Sequence, residues 1–340
     1  MPRKVRISIK LGLLALLLCA AAALAQDSQD KIRAKVDLVV VPVTVKGNTD
    51  NLIAGLTKDD FVIYESGRKQ TISNFTSDPV PLSAAVVVDT GLSAKTLSKV
   101  QQTFGALSGA FSEYDEVALY QYDKFVTKTL DFTKNMNSVD IEAKKIRELK
   151  PDPNPALANN PRSPFGVQGP VINGFPVLPP GYDGTIQGPP PTPSKVLNDA
   201  LFTAAADLGK RERNRRKMIL VISDGVSSGS DHSNNDVQQI LLNLGIQVYA
   251  VALDEPFPLK KLSVLDDYAK MSGGDTYFVG SIQHIEKSYM TATEEARNQY
   301  VIGYISNNEV SGNGPVFRDI DVQVAGRMKT LHRKGYYAYP

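Results

Sequence analysis

Two acidic residues, each closing an apolar run, are the positions in this chain best placed to do chemistry. Asp89 ends Ala84-Ala85-Val86-Val87-Val88 and is followed by Thr90, Gly91, Leu92 and Ser93. Asp224 ends Met218-Ile219-Leu220-Val221-Ile222-Ser223 and is followed by Gly225. Runs this apolar read as central strands of a parallel sheet covered on both faces. Open α/β sheets bind ligands beyond the carboxyl ends of such strands. Two carboxylates and several hydroxyls at one sheet edge suit a hard cation such as Mg²⁺, which prefers oxygen ligands.

Other chemistry finds little support. The sequence has no Gly-x-Ser-x-Gly elbow, no Gly-x-x-x-x-Gly-Lys-Ser/Thr phosphate loop and no His-Glu-x-x-His zinc helix. His232, His284 and His332 lack metal-ligand spacing. Ser223, His232 and Asp236 can be written as a triad, but triads are defined by geometry and this spacing supports none. The polar stretch from Asp231 to Asp236 reads equally as a rim of the sheet-edge site or as a helix-starting loop. Tyr336, Tyr337 and Tyr339 read as a packed strand face. The expectation is a protein that is not an enzyme.

The elements that must position the two acids alternate in type from Leu82 onward. Helical spacing covers Lys95 to Phe111, Val139 to Leu149, Val196 to Leu208, Asp236 to Leu244, Leu259 to Met271 and Ile282 to Arg297. Strands lie between them at Glu116 to Tyr122, Gln247 to Ala252 and Thr276 to Phe278. This alternation predicts an α/β fold with a doubly wound, mostly parallel sheet over residues 82–298. Residues 31–80 read instead as short strands with tight turns. They begin at Val36 to Val45, where Pro42 predicts an edge position. Strands return over 299–340, and the expected partner of these is the N-terminal group. Together they would form an accessory β-sandwich-like module. Residues 151–193 carry 13 of the 21 prolines and six glycines, so this insertion is expected to be an extended surface loop able to cover the site.

Arg3, Lys4 and Arg6 precede an apolar run from Leu11 that closes on Ala23-Leu24-Ala25. The pattern is that of a cleavable signal peptide over residues 1–25, with Gln26 as the mature start and a secreted or periplasmic destination. The single cysteine, Cys19, lies within it, which excludes disulfides and thiolate sites from the mature chain. Four bases and no acid leave with that segment, turning the formal charge of +2 into −2. General nucleic-acid binding is therefore not expected. The basic run Lys210 to Lys217 follows a predicted helix and reads as a complement to its C-terminus.

Taken in order, several stretches resemble the bacterial secreted VWFA-related family, built on a von Willebrand factor A-type domain. They are Val36–Val45 with Gly55 to Phe61, Val88-Asp89, Leu197 to Leu201, Val221 to Gly225, Tyr300–Tyr304 and Arg333 to Tyr337. The resemblance implies a divalent cation, Mg²⁺ or Mn²⁺, held by an Asp-x-Ser-x-Ser loop, a threonine and a second aspartate. It implies that the metal then holds an acidic group of a protein ligand. Carried over, it assigns Asp89, Ser93 and Asp224 as metal ligands. Gly91 stands at the first serine position, and Lys195 stands at the threonine position. Thr90 and Ser194 are substitute hydroxyls, and Lys195 itself would replace the cation electrostatically. The function implied is an exported adhesion or interaction module with a degenerate metal-ion-dependent adhesion site. Its partner would be an unidentified protein ligand, engaged through an acidic side chain. The alternatives are a metal-dependent exported hydrolase and a structural envelope protein with a vestigial site.

Overall fold

The computed structural model describes residues 38–149, 171–172, 175–176, 195–253, 263–308, 314–326 and 328–340. Residues 1–37 (the expected signal peptide among them), Ser194 and nearly all of the proline-rich insertion lie outside the described residues.

The site sits on a six-stranded sheet whose strands the apolar runs form. In chain order these are β5 (Leu82–Asp89), β6 (Glu116–Tyr122), β7 (Val126–Thr133), β10 (Arg216–Ser223), β11 (Gln247–Leu253) and β12 (Thr276–Val279). Their spatial order is β12-β11-β10-β5-β6-β7, parallel throughout except for the antiparallel edge pair β6–β7. Every residue of β5 is buried, because helices cover both faces. On one side lie α1 (Ala94–Leu107), α2 (Met136–Arg147) and α6 (Ile282–Arg297), packed on Ala84, Val86 and Val88. On the other lie α3 (Leu197–Gly209), α4 (Asn234–Leu244) and α5 (Ser263–Ser272), with α3 and α4 packed on Ala85 and Val87. The chain leaves β5 toward β6 and later returns to its other side as β10. The strand order thus reverses between β5 and β10, the place where doubly wound sheets open a crevice.

Two four-stranded antiparallel sheets built from both ends of the described chain form the accessory module. One has the order β15 (Lys329–Leu331), β1 (Leu38–Lys46), β13 (Tyr300–Ile305), β4 (Ile72–Thr76). The other has the order β16 (Gly335–Ala338), β14 (Val316–Val324), β2 (Phe61–Glu65), β3 (Arg68–Gln70). Val39, Val41, Val43, Ile63, Ile302 and Ile320 make the core between them. β1 pairs with β13 on one flank along Leu38–Val43 and with β15 on the other only along Thr44–Lys46. The pairing with β15 begins only at Thr44, so the flank beside Pro42 carries no ladder that needs its missing N–H, and the proline sits at a local edge as expected. A small separate hairpin joins β8 (Val171–Ile172) to β9 (Phe175–Pro176).

Charged groups bolt this module to the α/β domain. Lys46, at the end of β1, places Nζ 2.6 Å from Asp275 and 2.5 Å from Glu295. Gln299 donates to Thr44 and accepts from Arg216. The backbones also meet, with Ser272 bridged to Arg333 and Lys334 N–H bonded to the Met271 carbonyl. Gly273 permits that approach: its φ is +88°, and a Cβ there would lie 2.5 Å from the Arg333 nitrogen.

Candidate functional site

Asp89 and Asp224 come from adjacent strands on the two sides of the reversal, so the fold sets their carboxylates side by side. Lys195 enters between them from the segment before α3. Its backbone is pinned first: its carbonyl accepts from the Ser228 and Gly229 N–H groups, and its N–H donates to Ser228 Oγ at 3.2 Å. The next residue, Val196, donates to the Asp123 carbonyl at 2.9 Å. The side chain then runs inward until Nζ lies 3.0 Å from Asp89 Oδ2 and 2.7 Å from Asp224 Oδ2. Lys195 and Asp89 have side chains 4% and 0% exposed, so little water competes for this contact.

Further bonds fix Asp89. Tyr122 and Ser223, at the ends of the two flanking strands, donate to Oδ2 at 3.2 and 3.1 Å, and the Gly91 N–H donates to Oδ1 at 3.0 Å. Asp224 Oδ1 accepts from the Val226 N–H at 3.0 Å, which closes a tight turn after β10. Two carboxylates and one ammonium in a dry crevice leave one negative charge in excess. Burial, opposed by Lys195 and reinforced by the Asp224 charge, pushes the Asp89 carboxyl up to about 6. Burial alone would lower Lys195, but the attraction of Asp89 and Asp224 outweighs it and holds the ammonium above its ordinary range.

The raised Asp89 value carries a sign. A carboxyl that binds its proton more tightly folded than unfolded adds stability at low pH and loses it as pH rises through the folded value. About two units correspond to about 3 kcal/mol lost between pH 4 and 7. Side-chain carbon chemical shifts should therefore show Asp89 titrating near pH 6, and Asp89→Asn should remove this segment of the stability curve. Ordinary titration near pH 4 would show that the crevice is wet.

The remaining candidate positions fall elsewhere. Ser93 is the N-cap of α1; its Oγ accepts from the Thr96 N–H and donates to Thr96 Oγ1. Thr90 turns its hydroxyl onto the Tyr122 carbonyl at 3.0 Å. Ser194 lies outside the described residues. The residues of the written triad are each engaged separately. Ser223 bonds Asp89, His232 Nδ1 lies 2.7 Å from Asp199, and Asp236 caps its own helix through Ser233. Two residues that sequence reasoning did not assign complete the support of Asp89, and a third stands in a neighbouring turn. Tyr122 and Ser223 support Asp89, and Phe125, 77% exposed, stands in the β6–β7 turn beside Asp123.

A divalent cation does not fit these residues as they stand. The Lys195 ammonium occupies the space between the two carboxylates that a cation would need. Neither Ser93 nor Thr90 turns a free hydroxyl toward it. Among the described residues no group of three or more His, Cys, Asp or Glu is spaced to hold a metal. Gly91 lies against the same lysine. A Cβ at that position would sit 3.3 Å from Lys195 Cε and 3.5 Å from Asp89 Oδ1, so the glycine makes room for the lysine.

No known family profile and no curated protein sequence matches this chain. Among solved structures, proximal thread matrix protein 1 from the mussel byssus, with a zinc-occupied MIDAS motif, superposes with a TM-score of 0.41 at 13% identity. The match covers 65% of this chain and 49% of that one, so this chain spans about half the length of the thread protein. BatB from Bacteroides thetaiotaomicron gives a TM-score of 0.43 at 12% identity, covering 63% of this chain and 98% of the other. Manganese-loaded TRAP protein from Plasmodium vivax gives 0.41 at 8% identity, covering 81% and 98%. What those proteins bind is a property of theirs alone.

Proposed function

We propose that this chain is an exported, non-catalytic protein-binding module of the von Willebrand factor A type. In this reading Lys195 takes over the structural task of the cation. The observation that carries it is the Lys195 ammonium held between Asp89 and Asp224 at the strand-order reversal. An ion pair fixed within the chain holds the three loops of the sheet edge in one arrangement without a metal. The partner then meets a preformed surface: the partly exposed Asp224, the loop around Thr90 and Gly91, and Phe125 as an apolar anchor. Aromatic residues, phenylalanine among them, are enriched at protein interfaces relative to the rest of the surface. Export rests on the signal-like pattern before Gln26. Among the described residues no helix is long and apolar enough to cross a membrane.

Calorimetric titration with Mg²⁺ and Mn²⁺ tests the exchange of metal for lysine. The wild-type chain should give no saturable heat. Gly91→Ser with Lys195→Thr, which restores two oxygen ligands at once, should bind either ion in the micromolar to millimolar range. Saturable binding to wild type that Asp89→Ala abolishes would overturn the proposal. Capture of envelope proteins on immobilised chain should likewise survive a chelator and weaken with Phe125→Ala. Chelator-sensitive turnover of a captured partner would favour the hydrolase instead.

A further inference from the structure

The opposite end of the same sheet carries a groove of about 830 Å³ that the sheet-edge site does not use. Its volume lies within the roughly 300–1,000 Å³ of ordinary ligand sites. One side is the outer face of the module's first sheet. There Pro42 and Val301 are cross-strand partners, and Val40 continues the row at 43% exposure. Alternation in β1 creates that face: Val39, Val41 and Val43 point into the sandwich core, leaving Val40 and Pro42 outside it. The other side is the turn from α3 into β10, which contributes every cation of the run Lys210 to Lys217. Among the described residues no acidic side chain lines the groove.

The expected role of this run at the helix terminus accounts for only part of it. Lys210 pairs with Asp207 in the last turn of α3, and Lys217 donates to the Gly209 carbonyl at 3.3 Å. Arg211 and Arg215 share Glu116. Among the described residues, Arg213, Arg216 and Lys217 have no carboxylate within ion-pair distance. The Arg216 guanidinium is buried, with Gln299 as its hydrogen-bonding acceptor, and burial lowers it to about 10. Burial and the neighbouring Arg213 charge together depress Lys217. Positive charge is therefore crowded here beyond what the described residues neutralise.

We infer that this groove binds an extended acidic segment of a protein partner, with its acidic side chains toward Arg213 and Lys217 and its apolar ones against Val40, Pro42 and Val301. A strand's side chains alternate in direction, so a segment alternating acidic and apolar residues meets both walls at once. A polysaccharide of equal charge has no apolar side chains for the sheet face. The module would then hold partners at both ends of the central sheet.

Fluorescence anisotropy of a labelled octapeptide of alternating glutamate and valine, titrated with the full mature chain, tests this. Saturable binding is expected, weakened about tenfold or more by Arg213→Glu with Lys217→Glu and by raised salt. Arg213→Gln alone, a milder change, should weaken it in the same direction. A glutamate–serine octapeptide and an oligogalacturonate of matched charge should both bind less tightly. Absence of saturable binding, or indifference to the charge reversals and to salt, would overturn the inference. Oligogalacturonate binding as tightly as the peptide would overturn it too, assigning the groove to anionic glycans.

Discussion

Lys195→Met should cost the fold about 3–5 kcal/mol at neutral pH, the range for removing one partner of a buried ion pair. The loss comes from what remains. Asp89, fully buried, and Asp224, 12% exposed, would face each other with no cation between them. Methionine fills much of the same volume, so the effect isolates charge from packing. The chain has one escape, protonation of Asp89, which already holds its proton up to about pH 6. Without the lysine that value rises further, so the mutant's deficit should shrink as pH falls toward 5. Adding Asp89→Asn should recover more than half of the loss, since Asp224 reaches water while an amide accepts from Tyr122 and Ser223. Urea midpoints across pH 5 to 8 measure all three variants. A loss below about 1 kcal/mol, flat with pH, would mean that the lysine is not the counter-ion.

Lys46→Met should be comparably severe, about 3–5 kcal/mol, but with a different signature. Lys46 and Glu295 have side chains 3% and 1% exposed, and Lys46 belongs to the sandwich while Asp275 and Glu295 belong to the α/β domain. Burial would lower the Lys46 ammonium, yet the charges and hydrogen bonds of Glu295 and Asp275 hold it above its ordinary range. Burial raises the Glu295 carboxyl, against the pull of Lys46. The lysine is thus the shared counter-charge across the module boundary. Its removal should split thermal unfolding into two transitions, the sandwich melting first, where the wild type shows one. Calorimetry distinguishes this from a uniform loss, which would keep one transition at a lower temperature.

The central sheet was legible because strands buried on both faces read as unbroken apolar runs. Leu82–Asp89 and Arg216–Ser223 are of this kind, and the helices between them keep a 3.6-residue period. The strand β7 escaped that reading. Val126–Thr133 is an antiparallel edge strand, half-buried or exposed along its whole length, so its few apolar residues, Val126, Leu130 and Phe132, make no unbroken run. At the site, Asp89 and Asp224 were legible from their place at strand ends, and Lys195 only through a pattern position. Tyr122 and Ser223 were not, because they reach Asp89 from 33 and 134 residues away and nothing local marks them. The relation of Gly91 to Lys195 needs coordinates: a missing side chain in one loop makes room for a long one from another.

The interleaving of the two chain ends in one sandwich also fixes an order of assembly. Leu38 pairs with Ile305 and Val45 with Thr330, so β1 has no partner until almost all of the chain exists. Throughout synthesis a segment reading Leu-Val-Val-Val-Pro-Val-Thr-Val waits unpaired, the composition most prone to join strands of other molecules. Pro42 interrupts it at a point where the finished ladder asks for no donor on the β15 flank. During the wait the same ring removes an N–H that a foreign strand would need. Pro42 thereby acts as a gatekeeper in time, protecting the first strand of the sandwich until the last ones arrive.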